Sequence, residues 1–227
     1  MNTLLWFIML IINFIAIMTA YRLWGKIGLF IWIPISVIAA NIQVVKTVEI
    51  FGFIATLGNI VYATSFLVTD ILNENYGKKE ASKAVWMGFF SLISMTVLMQ
   101  LALLFIPDES DFTQSSLKTI FGLMPRIAIG SLTAYLISQT HDVWAYNRIK
   151  AKWPEKKFIW LRNNASTMVS QLLDSIVFTF IAFFGQFEFP VLIEIALTTY
   201  IFKWIVAAFD TPFLYLAKEW KDKGKVC

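Results

Sequence analysis

The sequence is short of the residues that soluble enzymes use most. Its one cysteine, Cys227, stands at the last position, so no intrachain disulfide can form and no site can be built from several thiolates. Its one histidine, His141, excludes a histidine-rich metal centre. Charged residues fill only 15% of the 227 positions, against about 25% in an ordinary soluble domain. The chain contains no Gly-rich phosphate loop, no His-Glu-x-x-His, no Gly-x-Ser-x-Gly and no Cys-x-x-Cys. These gaps leave catalysis poorly supported, imply no cofactor or metal, and give the chain no means of its own to hydrolyse ATP. Low-complexity segments and soluble linkers are also missing, so residues 1–227 read as a single integral membrane domain.

What is abundant is apolar. Hydrophobic residues make up 58% and aromatic residues 16% of the chain, and the mean hydropathy is +0.68. A membrane-crossing helix needs roughly 20 mostly apolar residues. Seven segments qualify: 2–20, 27–45, 50–69, 84–106, 119–140, 165–185 and 189–216. They predict an all-α polytopic bundle in the lipid bilayer. Asn41, Gln43 and Lys46 crowd the end of the second segment. The first has the length of a signal peptide but no basic region before it, and Tyr21-Arg22 follows instead of a small-residue cleavage site, so it reads as a span.

The connections sort by charge. Segments 21–26, 70–83 and 141–164 and the C-terminal tail carry most of the Lys and Arg, including Arg22, Lys78, Arg148, Arg162 and Lys221. The alternate connections are poor in base, and 107–118 is acidic through Asp108, Glu109 and Asp111. Basic connections stay cytoplasmic. The pattern predicts an outside N-terminus and a cytoplasmic C-terminus. The basic runs, and the net charge of +4, read as topogenic surface and not as a nucleic-acid site.

The informative residues are polar ones within or at the edge of spans, where a charge costs about 2.5–3.5 kcal/mol on insertion scales. In the sixth segment, helical spacing puts Thr167, Ser170, Gln171, Asp174 and Ser175 on one side, opposite Val169, Leu172, Ile176 and Phe180. Such a stripe lines a cavity or a helix seam. The seventh segment carries Glu194, Lys203 and Asp210, of which Lys203 and Asp210 share a face. Lys203 is too deep to snorkel easily, and Asp174 is its natural partner, as a functional or a purely structural pair. Arg126 follows Pro125 and either reaches toward the acidic 107–118 segment or offers a forked donor to a cavity. Gln139 and Asp142 lie further along that helix. Asp70, Asn73 and Glu74 share a face at the end of the third segment, with no immediate basic partner on that turn. Carboxylates, amides and one or two bases in a bundle suit a polar, flat small solute. A carboxylate can accept two N–H donors from a guanine-like edge, and aromatic side chains can stack on its faces.

Several motifs carry a more specific signal. They are Phe66-Leu67-Val68-Thr69-Asp70 through Tyr76-Gly77; Arg126-Ile127-Ala128 through Ser138-Gln139 and Asp142; Asn147-Arg148; Ala165-Ser166-Thr167 through Asp174; and Glu194-Ile195-Ala196-Leu197 with Tyr200 and Lys203. In this order, over about residues 30–216, they resemble the queuosine-precursor transporter family, bacterial inner-membrane proteins once described as vitamin-uptake-like. The resemblance implies salvage of cyano and aminomethyl 7-deazaguanine bases for tRNA queuosine. It also implies a six-helix fold similar to the vitamin-binding subunits of energy-coupling-factor transporters, from which this chain departs by an extra N-terminal helix, 2–20. The matching polar positions are Asp70, Arg126, Gln139, Asp142, Asp174, Glu194 and Lys203. On that basis Asp174 and Glu194 are expected to accept the N–H edge of the base, Arg126 or Gln139 to meet its carbonyl oxygen, and Lys203 to balance an acid in the empty state. Other readings are a binding subunit that needs separate ATPase subunits, an importer of another vitamin-like solute, a membrane scaffold held by ion pairs, and, least supported, an embedded enzyme.

Overall fold

The computed structural model describes residues 1–51, 53–122, 124–185 and 188–226. Cys227 and most of the 186–188 connection lie outside the described residues. The chain is all-α apart from one short hairpin. In order it forms α1 (Asn2–Gln43), β1 (Thr47–Ile50), β2 (Phe53–Thr56), α2 (Gly58–Tyr76), α3 (Lys78–Leu104), α4 (Gln114–Phe121), α5 (Met124–Lys152), a 3-10 turn at Lys156–Phe158, α6 (Ile159–Phe183) and α7 (Phe189–Asp222). β1 and β2 pair antiparallel with Thr47 opposite Thr56 and Ile50 opposite Phe53.

Burial is inverted relative to a soluble protein. Large apolar side chains such as Ile12, Trp86, Phe90 and Leu98 face outward, while Asp70, Gln139, Asp142, Arg162, Asn163, Gln171, Asp174, Lys203 and Asp210 are buried. Lipid accepts the first set without cost, and only a protein interior can solvate the second. Among the described residues, four helices are individually long and apolar enough to cross a membrane, or five spans if the bent pair α4–α5 counts as one.

Three expected boundaries change. The first two expected spans are the legs of α1, which breaks at Gly25 (φ 56°, ψ −134°). A straight helix of 42 residues would run about 63 Å, twice the hydrocarbon thickness. Here the legs 2–24 and 26–43 fold back on each other. Asn2 Nδ2 donates to the Glu49 carbonyl at 3.2 Å, and the Trp6 and Phe51 rings lie 6.3 Å apart. The legs meet so closely that a Cβ on Gly28 would stand 2.1 Å from the Ala20 carbonyl oxygen. The expected 50–69 span begins instead with β1–β2, and its helix runs from Gly58 to Tyr76. That moves Asp70, Asn73 and Glu74 from a membrane mouth into a helix that is walled in by α1, α3, α5, α6 and α7. Its enclosure explains why α2 tolerates so much polarity. Finally, 119–140 is divided between α4 and α5, bent by 41°, and α5 continues to Lys152 through what read as a connection.

The basic connections gather at one end. Lys26 pairs with Glu80 at 3.0 Å, Arg22 lies over Trp220 at 5.1 Å, and Lys156 meets Asp222 at 3.8 Å. Just inside that end sits a buried clamp. Arg162 donates from Nε and a terminal nitrogen to both oxygens of Glu74, at 2.9 and 2.7 Å. Its other terminal nitrogen donates to the Trp153 and Glu155 carbonyls. Tyr146 and Lys150 complete the shell around Glu74, at 3.1 and 3.3 Å. A fork-to-fork pair with four of the five guanidinium donors used is an arrangement in which a buried charge pair is tolerable. Arg162, expected in a connection, is thus one of the most deeply buried residues, and the base missing from the Glu74 turn comes from α6.

Gly28→Leu is expected to pry the legs of α1 apart, because the clash is with backbone. The check is the yield of monodisperse protein in mild detergent, which should fall severalfold; unchanged yield and thermal midpoint would show that the legs do not need this close approach.

Candidate functional site

α2 runs antiparallel to α6 and alongside α5, so residues an α-helical period apart on α2 face matched positions on both neighbours. Near its start, Tyr62 donates its hydroxyl to Asp174 Oδ1 at 2.5 Å. Ser138 of α5 donates to the same oxygen at 3.1 Å. Lys203 of α7 forms a buried ion pair with Asp174 Oδ2, and its ammonium lies 4.9 Å from the Tyr62 ring centroid. Four helices therefore converge on one carboxylate. Asp174 and Lys203 side chains are each 3% exposed. A lone charge at that depth would be costly, and the pair with its hydroxyl donors removes most of that cost.

This cluster forms the floor of a narrow, partly open cavity of about 40 Å³. Asn41 and Asn59 add amides to its wall, and Tyr62, Tyr135 and Phe178 add aromatic rings. Val44 and Gly58, which flank the β1–β2 hairpin, mark its rim. The cavity thus lies toward the end of the bundle that carries the N-terminus, away from the basic end. Rings beside an amide-and-carboxylate floor can hold a flat polar solute by stacking and by hydrogen bonds to its edge.

A buried polar column continues from the floor toward the basic end. Thr69 donates to Gln139 Oε1 at 3.4 Å. Thr167 donates to Asp70 Oδ2 at 3.2 Å. Asp142 and Asp210 stand beside Asp70, and Asn163 donates to Asp210 Oδ1 at 2.6 Å. Among the described residues, both Asp142 oxygens, both polar atoms of the Gln171 amide, Gln139 Nε2 and Asp210 Oδ2 are buried without a hydrogen-bond partner. The column ends at the Glu74–Arg162 clamp.

Of the seven expected site residues, Asp174 and Lys203 meet at the cavity, and Asp70, Gln139 and Asp142 lie in the column below it. Two stand elsewhere. Arg126 donates to the Ile181 carbonyl at 3.2 Å and to the Phe184 carbonyl, capping the C-terminus of α6. Neither the cavity nor the acidic segment holds it. Asp108 and Asp111 are engaged within their own segment, where hydrogen bonds from Ser110 and Thr113 respectively hold their carboxyls below the usual range. Glu194 is exposed on the first turns of α7 and does not line the cavity. Sequence reasoning missed Tyr62, Ser138 and the cavity amides. Tyr62 lies seven residues before Thr69 on one face of α2, a signal hidden when the span was started at 50. The α6 stripe, read back in steps of three and four, also passes through Ser166 and Asn163 to Arg162.

An inverted bundle with a charged pair at the base of an internal cavity defines a multi-pass membrane protein built to receive a polar solute. The model of a family described as "Putative vitamin uptake transporter" matches residues 56–217, and the chain belongs to that family. It is 48% identical over 218 residues to a "Probable queuosine precursor transporter" of Bacillus subtilis (strain 168), covering 96% of this chain and 95% of that protein. It is 27% identical over 197 residues to the "Queuosine precursor transporter" of Escherichia coli (strain K12), covering 83% and 86%. A similar protein of Haemophilus influenzae, also named a "Probable queuosine precursor transporter", is 29% identical over 156 residues, 68% of this chain and 63% of that one. With 96% of this chain covered, the Bacillus match extends into the first leg of α1. No solved structure matches the chain.

The Asp174–Lys203 pair can be dissected by replacing its members singly and together. Asp174→Leu or Lys203→Leu alone strands a buried charge and is expected to cost about 3–5 kcal/mol, whereas the double variant recovers most of that loss. Thermal or chemical unfolding in detergent reads the difference. Equal destabilisation by the double variant would mean that the two charges do not compensate each other.

Proposed function

We propose that the chain imports queuosine precursors, the cyano and aminomethyl 7-deazaguanine bases, across the cytoplasmic membrane for tRNA queuosine salvage. The observation that carries this reading is Asp174, a buried carboxylate at the floor of a cavity walled by Tyr62, Tyr135 and Phe178. Its geometry suits a purine-like ring: a carboxylate accepts the two N–H donors of a guanine-type edge, and the rings stack on its faces. The names of the relatives point to the same solute class. Lys203 holds Asp174 while no solute is bound and is displaced from one oxygen when N–H donors arrive. The ammonium of the aminomethyl base would also be drawn to this acid. Asn41 and Asn59 are placed to meet the remaining ring edge.

In this reading the chain is a transporter and not an enzyme, and residues 1–227 act as one membrane domain. Counting the two legs of α1 separately and α4–α5 as one bent span gives seven crossings, with the N-terminus outside and the C-terminus cytoplasmic. The gathering of basic connections at one end supports that orientation. Without the first leg, six crossings remain, the number expected of a fold similar to energy-coupling-factor binding subunits.

The test uses cells that can neither make nor import the precursors. Expressing this chain and feeding nanomolar precursor should restore queuosine in tRNA, read as a mobility shift on a boronate gel. Asp174→Asn should cut the restored fraction at least tenfold while the protein remains in the membrane. Wild-type uptake by Asp174→Asn would remove this carboxylate from the mechanism, and no restoration by the parent chain would point to another solute.

A further inference from the structure

The proposed transport of a base leaves three buried acids unexplained. Asp70, Asp142 and Asp210 are at most 1% exposed and come together from α2, α5 and α7. Asp70 lies eight residues beyond Tyr62, about 12 Å further along α2 than the cavity floor. Among the described residues no Lys or Arg pairs with them. Lys203 is taken by Asp174, and Arg162 and Lys150 are taken by Glu74. Thr167 and Asn163 supply neutral donors to Asp70 and Asp210, and Ser166 and Ser170 stand by Asp142. Tyr146 of α5 faces Asp70 but donates to Glu74. His141 of α5 is bonded to Ser170. α1 and α3 pack on α2 through apolar core residues such as Ile33 and Val85. Both desolvation and mutual repulsion oppose ionising three buried carboxylates together when no Lys or Arg among the described residues pairs with them. Two fully buried amides bridge the distance to the cavity. Gln171 stands on the α6 face between Thr167 and Asp174 with no partner for either polar atom among the described residues, and Gln139 Nε2 is likewise free.

We propose that Asp70, Asp142 and Asp210 form a proton-binding site that couples inward movement of the solute to the proton gradient, with Gln139 and Gln171 linking it to the cavity. One carboxyl of the cluster takes a proton that enters from the cavity side and releases it at the basic end in the same cycle that delivers the solute. The proton moves from carboxyl to water and back, and no other group is consumed. This inference rests on the transport reading above.

The experiment uses the purified full chain in proteoliposomes with the labelled cyano base, which is neutral, and with the membrane potential clamped at zero by potassium and valinomycin. An outside-acid gradient of one pH unit should drive accumulation of up to about tenfold, the limit for one proton per solute. External pH should rise when base is added to wild-type vesicles. Asp142→Asn mimics the protonated carboxyl, so it should still exchange internal for external base yet accumulate it no more than onefold. Asp210→Asn serves as the second variant if the first does not fold. If the wild type exchanges base but ignores the gradient and moves no protons, coupling is overturned and the transport reading stands. If Asp142→Asn and Asp210→Asn both still accumulate, these carboxyls are not the proton site. If the wild type does not exchange the base at all, both the solute assignment and the coupling fall.

Discussion

The cost of placing charge in hydrocarbon organises this molecule. Each ionised group at the middle of a bilayer costs several kcal/mol unless protein solvates it. α2 concentrates that problem, because Asp70, Asn73 and Glu74 fall within two turns of one helix. The remaining helices are arranged to enclose it, and their own lipid-facing surfaces are accordingly almost wholly apolar. Polar residues on α5, α6 and α7 then find partners only by facing α2 or one another. The internal cavity and the column beneath it are consequences of that enclosure.

Along the column the chain uses three different solutions to the same cost. At the cavity floor, Asp174 is neutralised by Lys203 and by two hydroxyl donors. At the basic end, Glu74 is neutralised by a bidentate arginine whose other terminal nitrogen donates to backbone carbonyls. Between them, Asp70 and Asp210 accept from neutral donors, and Asp142 has no hydrogen-bond donor among the described residues. The first two solutions differ in how easily they yield. Lysine is a point charge on a flexible stem, so on the proposed reading an incoming N–H edge displaces it from one oxygen without stranding it. Arg162 is fixed at both carboxylate oxygens and at two carbonyls of the chain following α5, and releasing it would break four bonds together. The pliable pair lies at the cavity and the rigid one at the sealed end, which is the order expected of a site open to one side.

Much of this was legible in the sequence, and the misses have physical causes. The α6 stripe was readable because every third or fourth residue is polar, and the structure buries Ser170, Gln171, Asp174 and Ser175 while Val169 and Ile176 face outward. Asp174 and Lys203 could be matched by depth alone. α2 was misplaced because hydropathy locates helices that face lipid, and an enclosed helix escapes that constraint. Starting it at 50 in place of 58 hid Tyr62 and put Glu74 at a surface. Arg162 was hidden by the same error at the other end of a span, since a run of basic residues just before it reads as connection. Arg126 and Glu194 could not be excluded from the cavity by spacing, because direction around a helix says which residues share a face and not which neighbour that face meets.

The sealed end also constrains how a solute could leave. The clamp ties α2, through Glu74, to α6 and to the chain following α5. A path from the cavity to the basic end must pass Asp70, Asp142 and Asp210 before it reaches that clamp. Loss of a proton from the cluster would add repulsion that favours separating α2, α5 and α7, and its return lets the helices close on one another. On the proposed coupling, opening of the lower column follows the charge of the cluster, and Gln139 and Gln171, whose unused polar atoms lie between cavity and cluster, are where a passing solute would be felt by those acids. Each buried polar atom left without a partner costs about 1–3 kcal/mol, and a bundle that alternates between two packings has to keep some donors and acceptors uncommitted in each.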